Sequence, residues 1–367
     1  MRQALALARR GYGTTSPNPM VGAVLVKGGE IIGRGWHHSA GGPHAEVEAL
    51  RDAKKRGHNV RGATLYVTLE PCCTHGRTPP CTDAIIAAGI RRVVAGATDP
   101  NPRHSGRGFK ILKRAGLAVT PGVLAEECNQ LNEAFNHWMV RGTPFVTVKS
   151  AMTLDGKIAT ASGESKWITG EKARAYGMKL RQGADAILVG INTILADDPS
   201  LTVRTVQSPK SKVQSHHPRR IVLDANARTP LSSKVVSDAH AQLTTIVASS
   251  SAPQRRVAAL RKRTNVLVAP ARSGKIELGW LLKKLGSEKV TSLLVEGGGE
   301  VNASFLLEGQ TQKVAFFYAP KILGGRNSRK GVGGEGVSCV KEAIKLNQVV
   351  WRKLGPDLLL TALVINR

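Results

Sequence analysis

The sequence predicts an α/β chain in two domains, and three observations carry that reading. Apolar runs of strand length alternate with segments of helical spacing through both halves. A length of 367 residues exceeds one ordinary hydrophobic core and suits two. The turn-forming Arg141–Pro144 is followed at once by a fresh strand, which sets expected domains of residues 1–143 and 144–367.

In the first half, residues 1–11 read as an amphipathic helix stopping at Gly11. Ser16–Pro19 is forced into an extended loop by Pro17 and Pro19, which pins Asn18. Val21–Val26 and Glu30–Gly33 read as a hairpin around Lys27, Gly28 and Gly29. His44 opens a helix over Ala45–Arg56, Leu65–Leu69 is a buried strand, and Asp83–Ala88 an apolar helix face. A strand over Arg92–Gly96, a rigid turn at Asp99–Pro102, a helix near 108–115 and an apolar run at 117–119 continue the alternation. Leu131, Phe135, Trp138 and Met139 fall at helical spacing within 126–141, where they are expected as core.

The second half restarts with a strand at Phe145–Lys149, then Met152–Ile158, a helix near 171–181 and a buried strand at Ala186–Val189. Arg220–Asp224, Thr244–Ala248 and Asn265–Val268 are further short apolar runs, and residues 205–217 are polar enough to be expected as a mobile surface loop. The strand Ser292–Glu296 runs into Gly297, Gly298 and Gly299 and a helix through Phe305. Such a turn can cradle an anion on the helix N-terminus, though alone it is equally a plain strand-to-helix connection. A strand at Val314–Phe317 leads to Pro320–Gly325.

Chemistry concentrates at His44, Glu46, Cys72 and Cys81. Two thiolates and an imidazole give a tetrahedral zinc three protein ligands and leave a fourth position for water, the layout of a catalytic site. Glu46, two residues after His44, is the acid beside it, since a proton must pass from that water to a leaving amine. His-x-Glu followed by Pro-Cys and a second Cys is the nucleobase-deaminase signature, but here eight residues rather than two separate the cysteines. The longer loop would hang Thr74, His75 and Arg77 over the metal. Cys81 falls near a helix N-terminus, which favours its thiolate. Cys73 adjoins Cys72, but neighbouring residues cannot both aim at one metal, and it is not assigned as a ligand.

Lys+Arg 53 against Asp+Glu 26 leaves a formal charge of +27, which first suggests nucleic acid. Aromatics at 4% and the absence of a long basic block point instead to a phosphorylated small molecule or a basic solvated surface. Five cysteines, an odd count with three of them clustered, argue against a disulfide framework. The first ten residues hold too short an apolar run for a signal peptide, and no stretch reaches the roughly 20 apolar residues of a membrane span. The expectation is a cytoplasmic protein with neither nucleic-acid nor membrane partner.

Over nearly its full length the chain resembles the bacterial bifunctional riboflavin-biosynthesis deaminase/reductases. Ser16–Pro19, His44–Glu46, Thr68–Cys72 and Thr78–Cys81 carry the likeness in the first half. Leu154–Gly156, Gly163–Thr169, Ala196–Pro199 and Val295–Gly298 carry it in the second. The resemblance implies a cytidine-deaminase-like domain followed by a dihydrofolate-reductase-like domain, one zinc per chain, NADPH, and a homo-oligomer. The first domain would remove the C2 amine of a diaminopyrimidinone carrying a ribosylamino 5-phosphate; the second would reduce the ribose to ribitol. The chain begins a few residues later than the family pattern and is expected to lack a helical turn there.

Carried over by position, His44, Cys72 and Cys81 would bind zinc, Glu46 would shuttle protons, and Asn18, Thr74 and His75 would touch the substrate. In the second domain Ser165, Arg181, Leu201, Arg204 and Glu296 match substrate positions, the two arginines gripping its phosphate. Ala151, Trp167, Thr193, Asp197, Ala225, Gly297, Gly298 and Gly299 match the cofactor side. Lys149 and Glu296 are the candidates for polar assistance at the reacting ribose, with an ordinary strand-end ion pair as the alternative. A nucleic-acid or nucleoside deaminase, a zinc-stabilised scaffold, and a deaminase with an inactive second domain are the competing readings.

Overall fold

A computed structural model describes residues 1–75, 79–203 and 217–365. The chain divides into two compact units, Met1–Gly142 and Thr143–Arg367. The loop expected at 205–217 therefore lies, apart from His217, outside the described residues.

The first unit is a five-stranded sheet in the order β2-β1-β3-β4-β5. Helix α1 (Arg2–Ala8) precedes the hairpin β1 (Gly22–Lys27) and β2 (Glu30–Trp36), which is antiparallel and longer on its second arm than its apolar run suggests. Helix α2 (Ala45–Lys55) leads to β3 (Thr64–Leu69), α3 (Cys81–Ala87), β4 (Arg92–Ala97), α4 (Arg107–Arg114) and β5 (Ala118–Thr120), with β3, β4 and β5 parallel. Gly35 on β2 explains how closely α2 packs: a Cβ there would stand 2.3 Å from the Ala45 carbonyl and from the Ala49 nitrogen. Leu25, Leu65, Val67, Ile85, Val93 and Leu112 fill the core between sheet and helices.

The single helix expected over 126–141 is two, α5 (Ala125–Leu131) and α6 (Glu133–Arg141). The break is at Asn132, whose buried side-chain amide accepts from the Met20 N–H at 2.8 Å and donates to the Met20 carbonyl at 2.9 Å. Leu131, Phe135, Trp138 and Met139 are half-buried rather than core, and α6 buries no residue fully.

The second unit holds a nine-stranded sheet in the order β11-β10-β9-β8-β14-β6-β15-β18-β17. Strand β6 (Phe145–Thr153) is followed by β7 (Lys157–Ala159), α7 (Glu171–Gln182), β8 (Ala186–Gly190) and α8 (Ile191–Asp197). Next come β9 (Arg219–Leu223), α9 (Lys234–Ser237), β10 (Thr244–Ser249), α10 (Gln254–Arg261) and β11 (Asn265–Ala269). The short hairpin β12 (Ala271–Arg272) and β13 (Lys275–Ile276) leads to α11 (Leu278–Ser287), β14 (Ser292–Val295) and α12 (Gly299–Leu307). The chain closes with β15 (Lys313–Ala319), β16 (Arg329–Lys330), β17 (Leu346–Leu354) and β18 (Asp357–Val364).

From β11 to β15 the large sheet is parallel, and β18 and β17 extend it antiparallel. The parallel strands are apolar on both faces because helices cover them, as Ile187, Leu188 and Val189 of β8 show. No helix among the described residues is long and apolar enough to cross a membrane.

Candidate metal centre and reductase cleft

In the first unit two connections, β2–α2 and β3–α3, meet at the carboxyl end of the sheet, where open α/β sheets place their ligands. His44 caps the N-terminus of α2, Cys72 follows β3, and Cys81 is the first residue of α3. Their ligand atoms all lie within 4.8 Å of one another. His44 Nδ1 stands 3.2 Å from Cys81 Sγ and 3.4 Å from Cys72 Sγ. Tetrahedral zinc with bonds of about 2.0 Å to nitrogen and 2.3 Å to sulfur would separate nitrogen and sulfur by about 3.5 Å, so the donor set fits the ion with a small expansion.

The electrostatics suit a cation. The Cys81 thiol, with His44 and the Cys81 backbone N–H, holds Cys72 down at about 4, while bonding to Cys72 pushes Cys81 up. The bond to Cys72 also raises His44. Glu46, 3% exposed on the first turn of α2, is pushed up to about 7 by burial first and then by the negative Cys72. A buried carboxyl there can both take and give a proton near neutrality.

Asn18 Nδ2 lies 3.1 Å from His37 Nε2, and His37 Nδ1 is 3.0 Å from the Pro43 carbonyl, directly before His44. Burial lowers the His37 imidazole, which packs edge-on against His44 at 5.4 Å between ring centroids. Sequence reasoning missed His37, because its contacts with Asn18 and the Pro43 carbonyl appear only in the fold. It also missed Glu70. That buried carboxylate accepts the backbone N–H groups of Asp99, Gly106, Gly108 and Phe109 at 3.1, 2.9, 2.8 and 3.4 Å. It thereby fastens the turn after β4 to the segment carrying Cys72. Thr74 and His75 are exposed, Cys73 is not in the ligand trio, and Arg77 falls outside the described residues.

The second unit presents two groupings. Around Glu296, at the end of β14, Arg181 of α7 forms a bidentate bridge with Nε and Nη2 at 2.9 and 2.8 Å. Arg181 Nη1 donates to the Thr202 carbonyl at 3.2 Å, and Lys149 Nζ of β6 stands 3.8 Å from Glu296. Burial would raise Glu296, but Arg181 and then Lys149 overcome it and hold the carboxyl at about 2. The guanidinium expected to grip a phosphate is thus committed to a carboxylate, because α7 lays it across the strand end. Arg204 lies outside the described residues.

The other grouping lines a cavity of about 500 Å³ that contains Ser165, Thr193, Asp197, Gly298 and Gly299 together with Arg329 and Lys330. Ser165 Oγ donates to Asp197 at 3.3 Å. Gly299 is required by a close approach, since a Cβ would stand 2.3 Å from the Lys330 carbonyl. Several expected cofactor and substrate positions are not brought to this cavity. Ala225 lines a neighbouring one, Ala151 packs with Phe317 and Tyr176, and Leu201 is buried in the core with φ 52°. Trp167 is 63% exposed, beneath the Arg174 guanidinium at 4.7 Å from the ring centroid. Gly297 is tight against Val301.

Family models match both units: residues 1–97 fit the cytidine and deoxycytidylate deaminase zinc-binding region, and residues 144–360 fit the RibD C-terminal domain. The chain belongs to the RibD family. The riboflavin biosynthesis protein RibD of Actinobacillus pleuropneumoniae is 46% identical over 367 residues, covering 100% of this chain and 95% of that protein. RibD of Escherichia coli is 41% identical over 366 residues, covering 98% and 97%. Among solved structures, Acinetobacter baumannii RibD superposes with a TM-score of 0.87 at 35% identity, covering 99% of this chain and 97% of the other. A diaminohydroxyphosphoribosylaminopyrimidine deaminase/5-amino-6-(5-phosphoribosylamino)uracil reductase from Thermotoga maritima superposes with a TM-score of 0.86 at 37% identity, covering 100% and 97%. A RibD chain joins a zinc-binding deaminase region to a reductase domain, the two-part α/β architecture expected from the sequence.

Proposed function

We propose that this chain catalyses two consecutive steps of riboflavin biosynthesis. Residues 1–143 hydrolytically remove the C2 amine of 2,5-diamino-6-ribosylamino-4(3H)-pyrimidinone 5′-phosphate. Residues 144–367 then reduce the ribosyl group of the aminouracil to ribityl with NADPH. The observation that carries the reading is the convergence of His44, Cys72 and Cys81 beside a buried Glu46, in a chain matched end to end by RibD proteins.

His44, Cys72 and Cys81 would hold the zinc. Bound there, zinc supplies hydroxide at neutral pH. Glu46 would move the proton from the attacking water to the departing ammonia, since its buried carboxyl sits on the first turn of α2, two residues from His44. Asn18, held by His37, faces the substrate as a hydrogen-bonding group whose orientation is fixed in advance. In the reductase, Glu296 stays anionic under the grip of Arg181 and accepts hydrogen bonds from ribose hydroxyls, while Lys149 is the cation that lends a proton as the ring opens. Ser165, Thr193, Asp197, Gly298 and Gly299 line the path for cofactor and substrate, and Arg204 is left as the phosphate's guanidinium.

An anaerobic assay on purified protein, following amine release and NADPH oxidation separately, tests this. Ammonia should be released from the diaminopyrimidinone phosphate without NADPH, and NADPH should be oxidised only by the deaminated product. Turnover of RNA or free cytidine in preference to that phosphate would defeat the deaminase half. A failure to oxidise NADPH with the aminouracil would make the second unit an inactive appendage.

A further inference from the structure

Beside the cavity of about 500 Å³ lies a second of about 240 Å³, and Ile191, Leu223, Glu300 and Val301 line both. The two form one cleft along the carboxyl ends of β8, β9 and β14, running from the glycines at the start of α12 to the turn after β9. The inference rests on the reductase reading above: with the nicotinamide and pyrophosphate placed in the larger part, beside the glycines of the α12 N-terminus, the smaller part receives the adenosine end. We propose that Arg228 reads the 2′-phosphate of the cofactor there and makes NADPH, rather than NADH, the reductant.

The two cofactors differ by that one phosphate, so discrimination needs a cation on the cavity surface whose charge is not already spent. Arg228 is exposed, lines the smaller cavity, and donates from Nη2 to Asn192 Oδ1 at 3.0 Å. Asn192 lines the larger cavity, so this bond holds the guanidinium where the two parts meet. It is the one hydrogen bond Arg228 makes among the described residues, which leaves donors for a bidentate phosphate contact. Lys275 of β13 also lines the cavity, but Glu308 interacts with it there.

The carboxylates nearby must be weighed, because an acid beside the ribose favours the unphosphorylated 2′-hydroxyl. Glu300 Oε1 is engaged by the Gly334 N–H at 3.2 Å. Asp224 is fully buried, and its Oδ2 accepts both the N–H and the hydroxyl of Thr229 at 2.7 Å. Its Oδ1 has no partner, which makes Asp224 the rival selector, for NADH. Both residues line the smaller cavity, but Asp224 is fully buried while Arg228 is exposed, which gives the guanidinium the readier access to a ligand.

Titration calorimetry of the full-length protein with NADPH and with NADH tests the assignment. The wild type should bind NADPH more tightly. Arg228→Gln should lower the ratio of the two affinities roughly 10–100-fold through loss of NADPH binding, and Arg228→Lys should restore part of it. 2′,5′-ADP should displace NADPH better than 5′-ADP from the wild type, and should lose that advantage in Arg228→Gln. An unchanged ratio in Arg228→Gln would overturn the proposal while leaving the reductase reading intact. So would a wild-type preference for NADH that Asp224→Asn reverses. Binding of neither cofactor by the wild type would sink the reductase reading, and this proposal with it.

Discussion

The metal centre and the Glu296 cluster are built in opposite ways. His44, Glu46, Cys72 and Cys81 lie on adjacent connections of one small sheet, and their chemistry rests on sulfur and imidazole in a chain with only five cysteines. Lys149, Arg181 and Glu296 come from β6, α7 and the end of β14, far apart in sequence, and are ordinary cations and a carboxylate in a chain full of them. The first centre gathers a soft nitrogen and two sulfurs that only a metal ion uses together. The second is complete in the protein alone, its charges already paired. Loss of a ligand should therefore cost the first its chemistry, and loss of a partner should cost the second its stability.

The largest effect should come from Cys81→Ser. Elemental analysis should show zinc falling from about one per chain, and amine release should drop below detection, while NADPH oxidation on pre-deaminated substrate persists. Loss of both activities together would break the comparison, because it would mean one shared centre. Glu46→Gln should keep its zinc and lose deamination by roughly 10²–10⁴-fold, since the amide has the carboxyl's shape but cannot carry its proton. Zinc loss in that variant would make Glu46 a ligand.

The same contrast explains what could be read before the fold was known. His-x-Glu and the spaced cysteines are rare residues at a telling spacing, so their convergence was visible in the chain. The alternation of strands and helices was visible too, because parallel strands buried on both faces read as plain apolar runs. Arg181 was legible only as a basic residue suited to phosphate. That it commits its fork to Glu296 depends on the fold bringing α7 to the residue after β14, which no local pattern encodes. Glu70 and Arg220 escaped for the same reason. Arg220 is 1% exposed and bridges Asp238 at 2.7 and 2.9 Å, yet its sequence neighbourhood reads as one more strand start. The break at Asn132 was hidden because its cause, the Met20 backbone, is supplied by a distant loop.

Arg181→Met should destabilise the reductase unit by about 3–5 kcal/mol in urea unfolding, because it leaves a buried carboxylate with only a lysine at 3.8 Å. Acid should act on the same bridge. Glu296 is held at about 2, below its unfolded value, so the folded state binds fewer protons. Its contribution is full above the unfolded value of about 4.3 and declines as pH falls towards 2. In Arg181→Met that part of the acid sensitivity should shrink. Equal acid sensitivity in both proteins would show that the pair is not what the low pKa reflects.

Lys149 offers the finest division of the cluster, because it shares the Glu296 carboxylate without forming its fork. Its Nζ is beyond hydrogen-bonding distance at 3.8 Å, one-fifth of its side chain is exposed, and its ammonium stands 5.8 Å from the Phe317 ring centroid. With Arg181 still in place, Lys149→Gln leaves the carboxylate paired, so unfolding should change by about 1 kcal/mol or less, the smallest stability effect of the set. If the ammonium assists the opening ribose, a charge-assisted hydrogen bond is lost in the reaction, and kcat/KM for NADPH oxidation should still fall roughly 10–100-fold. The calorimetric affinity for NADPH should not follow it, because the cation sits beside Glu296 rather than among the residues lining the cofactor cleft. A variant that loses stability and activity in proportion would make Lys149 a second strut of the same bridge. A variant that loses neither would reduce the pair to an ordinary ion contact at the end of a strand, and the proton for ring opening would have to come from another group.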